Sequence, residues 1–151
     1  MSTGDLPGLL ALTFRAMMDQ IHEQLAAEGF GDVRPAHGFA FQFLSHRGAT
    51  AVELGDHLGV TKQAAVQLVD ELVKRGYVQR QAHPTDRRSR IVTLTARGWQ
   101  CIERVVEHSK QAEARWAELV GEERIGELRA ALTGFVTDAA HYRQVTLRPV
   151  W

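Results

Sequence analysis

The stretch that decides the fold is residues 48–97, which read GATAVELGDHLGVTKQAAVQLVDELVKRGYVQRQAHPTDRRSRIVTLTAR. Thr50 precedes an apolar-periodic segment and Glu53 follows three residues later, which is the spacing of a capping box at a helix N-terminus. Gly59 suits the end of that helix because glycine adopts the left-handed conformation without a steric penalty. Thr61 then caps a second helix. The pattern predicts two helices joined by a tight turn.

The second predicted helix, residues 62–75, is amphipathic. Its inward positions recur at helical spacing: Ala65, Leu68, Val69, Leu72 and Val73. Its outward positions are small, amide-bearing or charged: Lys62, Gln63, Ala64, Gln67, Asp70 and Glu71.

A hairpin is predicted after this helix. Gly76 ends the helix, residues 77–82 and 90–94 alternate as strands, and residues 83–89 form a polar loop. The loop carries Arg87 and Arg88. Thr95 is placed to cap the next helix. Two helices followed by a basic hairpin outline a winged helix-turn-helix, a fold that reads DNA.

Charge is distributed unevenly along a neutral chain. Lys and Arg number 18, and Asp and Glu also number 18. Residues 61–90 nevertheless hold seven basic and three acidic side chains, a net charge of +4, so the remainder carries −4. Because phosphate contacts supply most non-specific affinity for DNA, this asymmetry favours a DNA-binding module joined to a different kind of region.

The flanking segments are predicted to be helical. Apolar residues recur at helical spacing in residues 6–27, 96–120 and 122–142, and Pro35 suits the first turn of another helix. In the last segment Ile125, Leu128, Leu132, Phe135 and Val136 are expected to face inward. So many apolar stripes at both ends of a 151-residue chain exceed what one small core can cover. A homodimer is the expected solution, since most soluble oligomers are two-fold.

The sequence gives little support to other classes of protein, such as membrane proteins or enzymes. No apolar run is long enough to span a bilayer and the start lacks a secretory signal, so a cytoplasmic location and no membrane partner are expected. No enzyme fingerprint occurs, so catalysis and a cofactor are not expected. The single Cys101 leaves a redox-responsive regulator as an alternative. Seven histidines without metal-ligand spacing leave a metal-responsive one, although no metal site is predicted. A protein-interaction module on a winged scaffold is the third alternative.

Residues 52–98, VELGDHLGVTKQAAVQLVDELVKRGYVQRQAHPTDRRSRIVTLTARG, resemble the MarR-type transcriptional regulators almost throughout. The flanks match that family's layout in pattern only. The resemblance implies a mainly α fold with a small β-hairpin wing. Residues 30–97 would form the DNA-binding region, and residues 1–29 and 98–151 the helical dimerisation region of one continuous fold. It also implies a homodimeric repressor on a palindromic double-stranded operator, released by a small molecule or an oxidant.

The resemblance also assigns DNA contacts by position. The recognition-helix residues are Thr61, Lys62, Gln63, Ala64 and Gln67, and the wing residues are Asp86, Arg87 and Arg88. Glutamines suit base edges, alanine suits a thymine methyl, and Thr61 and Lys62 suit phosphates. In the wing, Arg88 is expected to enter a minor groove, Asp86 to set its rotamer, and Arg87 to contact phosphate.

An effector site is implied between the dimer helices and the winged region. Candidates there are His37, Phe39, Phe43 and Trp99, which suit an aromatic carboxylate. Ordinary core packing is an equally good interpretation of each, because aromatic residues at helical spacing usually lie in a core.

Overall fold

The structure of the protein, a computed structural model, describes residues 4–142. Its elements in chain order are α1 (Leu6–Ala27), α2 (Pro35–Leu44), α3 (Ala51–Leu58), α4 (Lys62–Lys74), β1 (Val78–Ala82), β2 (Arg90–Leu94), α5 (Ala96–Val120) and α6 (Glu122–Tyr142). The predicted class, mainly helical with one small hairpin, is confirmed.

The predicted helix starts coincide with the observed ones because short polar side chains cap them. The hydroxyl of Thr50 accepts from the Glu53 amide at 3.2 Å, and that of Thr61 accepts from the Ala64 amide at 3.1 Å. A cap of this kind is worth about 1 kcal/mol. Gly59 has φ 66° and closes α3 as expected. The other contact of a capping box, from the Thr50 amide to the Glu53 carboxylate, is a wrong prediction. Within the described chain this carboxylate lies 3.0 Å from Arg47 instead.

The described residues divide into two compact units, and residues 32–103 form the first, here called the winged unit. Its core consists of apolar side chains from α2, α3, α4 and the hairpin, among them Phe41, Leu54, Leu58, Ala65, Val69, Leu72, Val78 and Val92. The hairpin is antiparallel, with Val78 opposite Leu94 and Ala82 opposite Arg90. Ala49, just before α3, bridges to Val92 and ties the hairpin to the helices.

Two details of the winged unit differ from the sequence prediction. Val73 was expected inward but is 36 % exposed, because it lies at the edge of the apolar stripe of α4 in the last turn. Tyr77 was expected to begin the strand. Instead its amide donates to the Leu72 carbonyl and helps to close α4, so that β1 begins one residue later.

The second compact unit, the helical unit, comprises residues 4–31 and 104–142 of the described chain. A polar clasp joins the end of α1 to α5. Both oxygens of Glu28 accept from Arg104 at 2.7 Å, and one lies 3.1 Å from the buried ring of His108. These hydrogen bonds lower the pKa of Glu28 to about 2.

Much of the predicted apolar surface of the helical unit is exposed. Ile21 and Leu25 are buried, but Leu6 is 63 % and Phe135 is 76 % exposed. The expected inward stripe of α6 is therefore not buried within the chain. Four of its members are exposed large hydrophobics: Leu128, Leu132, Phe135 and Val136. Residues 1–3 and 143–151 of the predicted dimerisation region lie outside the described residues.

None of the helices in residues 4–142 combines the length and apolar character needed to cross a membrane.

Candidate nucleic-acid interface

The outer face of α4 is built from side chains that point away from the core. Lys62, Gln63, Ala64 and Gln67 are all exposed, whereas Ala65, Val69 and Leu72 on the opposite face are buried. The Thr61 hydroxyl uses a lone pair to cap the helix and keeps its proton for an external acceptor. The five predicted contacts from Thr61 to Gln67 thus lie together at the N-terminal half of one exposed helix.

The wing loop is held by the carboxylate of Asp86. Its Oδ1 accepts from the Arg88 amide at 2.9 Å, and its Oδ2 accepts from the Ser89 hydroxyl at 2.9 Å. These two bonds lower the pKa of Asp86. The sequence interpretation had this carboxylate setting the Arg88 rotamer, but the observed contact is to the Arg88 backbone. Asp86 therefore shapes the loop backbone, and its effect on the Arg88 rotamer stays a prediction.

Basic charge remains available on this surface. Of the seven basic residues in residues 61–90, Arg75 pairs with Glu71 at 2.6 Å and Arg80 pairs with Asp70. The other five make no ion pair with another described residue: Lys62, Lys74, Arg87, Arg88 and Arg90. Cations without an internal partner are free to meet phosphates.

A polar cluster around the buried His37 contacts α4. The ring of His37, with no exposed surface, accepts from the Arg34 amide through Nδ1 at 3.0 Å. Its Nε2 lies 3.3 Å from the Glu71 carboxylate, which also accepts from the Arg34 side chain at 2.7 Å and pairs with Arg75. Burial lowers the pKa of His37, and the charge of Arg34 adds to this, against the opposing hydrogen bond to Glu71.

Sequence reasoning missed this cluster. Glu71 was placed among the outward residues of α4, and Arg34 carried no prediction at all. Their contact joins positions 37 residues apart. The one signal in the sequence was the position of Glu71 beside the apolar stripe of α4, because charged residues near a core are seldom buried without a partner.

A second polar group surrounds Tyr77, at the junction of α4 and β1. Its hydroxyl donates to Asp32 and accepts from Arg97 at 3.0 Å. The Arg97 guanidinium also lies over the Tyr77 ring, 4.6 Å from its centroid. Burial and the hydrogen bond to Asp32 raise the pKa of Tyr77, which keeps the phenol neutral. The group ties the loop before α2 to the start of α5.

Part of the sequence of the winged unit matches a known protein family. Residues 32–89 match the model of the MarR family. Over these residues the winged unit is similar to the MarR family of transcriptional regulators, which confirms the predicted resemblance. None of the curated protein sequences matches the chain.

Solved structures agree with this fold. RV1404 from Mycobacterium tuberculosis has 27 % identity and a TM-score of 0.73, covering 93 % of this chain and 96 % of its own. MarR from E. coli, without ligand, has 22 % identity and a TM-score of 0.70, covering 87 % and 96 %. The transcriptional repressor CouR, bound to a 23-mer DNA duplex, has 24 % identity and a TM-score of 0.70, covering 90 % and 98 %.

The effector candidates of the winged unit differ in their surroundings. His37 is buried and both of its ring nitrogens are in contact with groups of this unit. Phe43 stacks on His57 with ring centroids 4.2 Å apart. Phe39 and Phe43 are four residues apart and share a face of α2, whereas His37 lies on another face. Trp99, on α5, is 45 % exposed. The four remain predictions.

Cys101 of the winged unit is fully buried. Burial raises the pKa of its thiol to about 11, so the reactive thiolate is scarce near neutral pH. This environment is that of a packed structural cysteine. Among the described residues, no group of three or more histidine, cysteine or acidic side chains is arranged to hold a metal ion.

Proposed function

We propose that this protein is a homodimeric, ligand-responsive repressor that reads a palindromic DNA operator. The observation that carries the proposal is the pairing of two features in the winged unit. The same unit carries an exposed, amide-bearing face of α4 and five basic residues that have no ion-pair partner among the described residues. Amides read base edges and free cations hold phosphates, so the two features together fit a DNA groove and its borders.

In this proposal the recognition helix enters the major groove. Gln63 and Gln67 offer a donor and an acceptor to one base edge, and Ala64 contacts a thymine methyl. Thr61 and Lys62 hold the adjacent phosphates. In the wing, Arg88 enters the minor groove, where a guanidinium suits the negative potential, and Arg87 contacts phosphate. Asp86 contributes through the loop backbone.

A second copy of the chain is proposed to cover the exposed apolar surface of the helical unit. Large exposed patches of this kind commonly mark an association surface. A two-fold dimer also places two recognition helices about 34 Å apart, the spacing of successive major grooves. A palindromic operator follows from that symmetry.

Release by a small molecule is proposed over release by an oxidant, since buried Cys101 has a raised pKa. An aromatic carboxylate lodged near Phe39, Phe43 and Trp99 is the favoured class of effector. It acts by holding the recognition helices at a separation that no longer matches the two grooves. To do so it must bind the non-matching state more tightly, or it shifts nothing.

The test starts from a duplex selected by the protein from a random pool. Fluorescence anisotropy then gives the affinity of the parent for the selected and a scrambled duplex over a salt series. We expect affinity for both to fall as salt rises, with the selected duplex bound roughly a thousandfold tighter or more. Salt-independent binding, or none, would refute DNA reading and favour a protein-interaction module.

Variants separate base reading from phosphate holding. Gln63→Ala and Gln67→Ala should relax preference at particular operator positions, by about 1 to 3 kcal/mol for a good paired contact. Lys62→Ala should weaken binding to both duplexes alike. Lys110→Ala removes the same charge from an exposed position on α5 and serves as the control. Equal losses on both duplexes for both glutamine variants would contradict their assignment.

A further inference from the structure

The wing loop contains a side chain that the proposed DNA contacts do not use. His83 Nδ1 accepts from the backbone amide of Asp86 at 3.0 Å and from that of Thr85 at 3.2 Å. Pro84 has no N–H, so these are the first two amides available after His83. An imidazole nitrogen thus closes this turn in the way that an asparagine or aspartate oxygen usually does.

Asp86, three residues further along the loop, also closes a turn with its side chain. Its own amide is held by His83, while its carboxylate holds the Arg88 amide and the Ser89 hydroxyl. The two turns are therefore linked through a single residue. The backbone of Arg87 and Arg88 lies in the second turn, and the first turn, closed by His83, leads directly into it.

The acceptor at Nδ1 exists only in one state of the ring. A neutral imidazole with its proton on Nε2 accepts through Nδ1, whereas an imidazolium donates from both nitrogens. Protonation would therefore point an N–H at two backbone N–H groups and break both of those hydrogen bonds, leaving the Thr85 hydroxyl, 3.4 Å from Nδ1, as the acceptor within reach. Besides His83, the charged residues of the hairpin are Arg80, Asp86, Arg87, Arg88 and Arg90, and Arg80 is paired with Asp70 of α4.

We propose that His83 is a positioning residue for DNA binding. Its neutral ring holds the wing loop that carries Arg88, and its protonation releases the loop and weakens binding. This inference rests on the proposed function. Simple electrostatics gives the opposite sign, because an added positive charge beside phosphates strengthens binding. The sign of the pH effect therefore separates the two accounts.

The first arm of the test measures affinity for the selected duplex at pH 8.0 and 5.5, at constant ionic strength. His83→Asn keeps a turn-closing acceptor that does not titrate, and His83→Ala removes it. The parent should lose about threefold to tenfold more affinity at pH 5.5 than His83→Asn, as expected for a lost hydrogen bond. His83→Ala should bind weakly at both pH values. His46→Asn, at an exposed histidine of the same unit, should keep the parent's profile.

The second arm needs no DNA. In nuclear magnetic resonance spectra of the full-length free protein, the Asp86 amide proton should shift together with the titration of His83 Nδ1, and this coupling should vanish in His83→Asn. An Asp86 amide that ignores His83, or equal pH dependence of binding for parent and His83→Asn, would overturn the proposal. If no variant binds any duplex, the proposed function fails, and this arm still decides whether His83 holds the loop.

Discussion

The structure gives His37 a different environment from the one predicted from the sequence. Its position on an aromatic helix made it a candidate for an effector, yet its ring is fully buried and joins the Arg34 amide to the Glu71 carboxylate. The Nδ1 acceptor requires a neutral ring. The local sequence does not predict the contact of His37 with Glu71, because that carboxylate lies 34 residues away on α4.

The lowered pKa of His37 predicts a pH dependence of stability. In the unfolded chain the His37 imidazole has its ordinary pKa of 6.5, whereas folding lowers this pKa, so the unfolded state binds more protons below that pH. The contribution of His37 is fully present above about pH 6.5 and is lost as pH falls from there toward the folded pKa. Urea unfolding at one fixed protein concentration should therefore show a midpoint that drops between pH 7.5 and 5.5.

His37→Asn provides the comparison, because an amide oxygen accepts the same backbone N–H without titrating. This variant is expected to be less stable than the parent at pH 7.5, by roughly 1 to 3 kcal/mol for imperfectly paired buried groups. Its midpoint should change less with pH than that of the parent. Parallel pH profiles for the two proteins would show that His37 does not titrate in this way.

At the scale of elements, local signals were the reliable ones. Thr50, Thr61 and Thr95 each precede a helix that begins where they predict, since a cap depends on atoms within three residues. Both ends of β2 and of α1 also agree with the pattern. The polar network behind α4 could not be predicted, because contacts such as Arg34 with Glu71 depend on how α2 and α4 pack. The assigned DNA contacts stay predictions.

The wing offers the sharpest element-scale prediction, Asp86→Ala. Removing a negative charge next to DNA should strengthen binding, whereas releasing the Arg88 amide and Ser89 should loosen the loop and weaken it. We expect weaker binding to the selected duplex at matched salt, with the fold intact by circular dichroism. Asp56→Ala removes the same charge from an exposed position on α3 and should not weaken binding. Tighter binding by Asp86→Ala would mean that loop shape contributes nothing.

At the scale of the whole molecule, the sequence predicted an excess of apolar surface, and the structure locates it. Four of the five members of the α6 stripe are exposed in the described chain: Leu128, Leu132, Phe135 and Val136. A period of 3.6 residues identifies which side chains share a face, but it does not say whether the same chain or another copy covers that face. The sequence therefore predicts which residues form the stripe but not which surface covers it.

The dimer prediction follows from that stripe. Light scattering at micromolar concentration should give about twice 16.9 kDa for the parent. Replacing Leu132 and Phe135 together by glutamate should shift the mass toward 16.9 kDa, because two buried charges are costly at an apolar interface. Gln100→Glu, at an exposed position of the winged unit, should leave the mass unchanged. A monomeric parent would contradict the assembly.

The central claim, that two copies read two half-sites with their α4 helices, is tested most directly by changing the spacing between half-sites. The affinity of the full-length protein should be measured for the selected duplex and for the same duplex with five base pairs inserted at its centre. Five pairs turn one half-site to the opposite side of the helix, because a turn takes about 10.5 pairs. The account predicts that the insertion lowers affinity toward the value for scrambled DNA. Equal affinity for the two duplexes would contradict it.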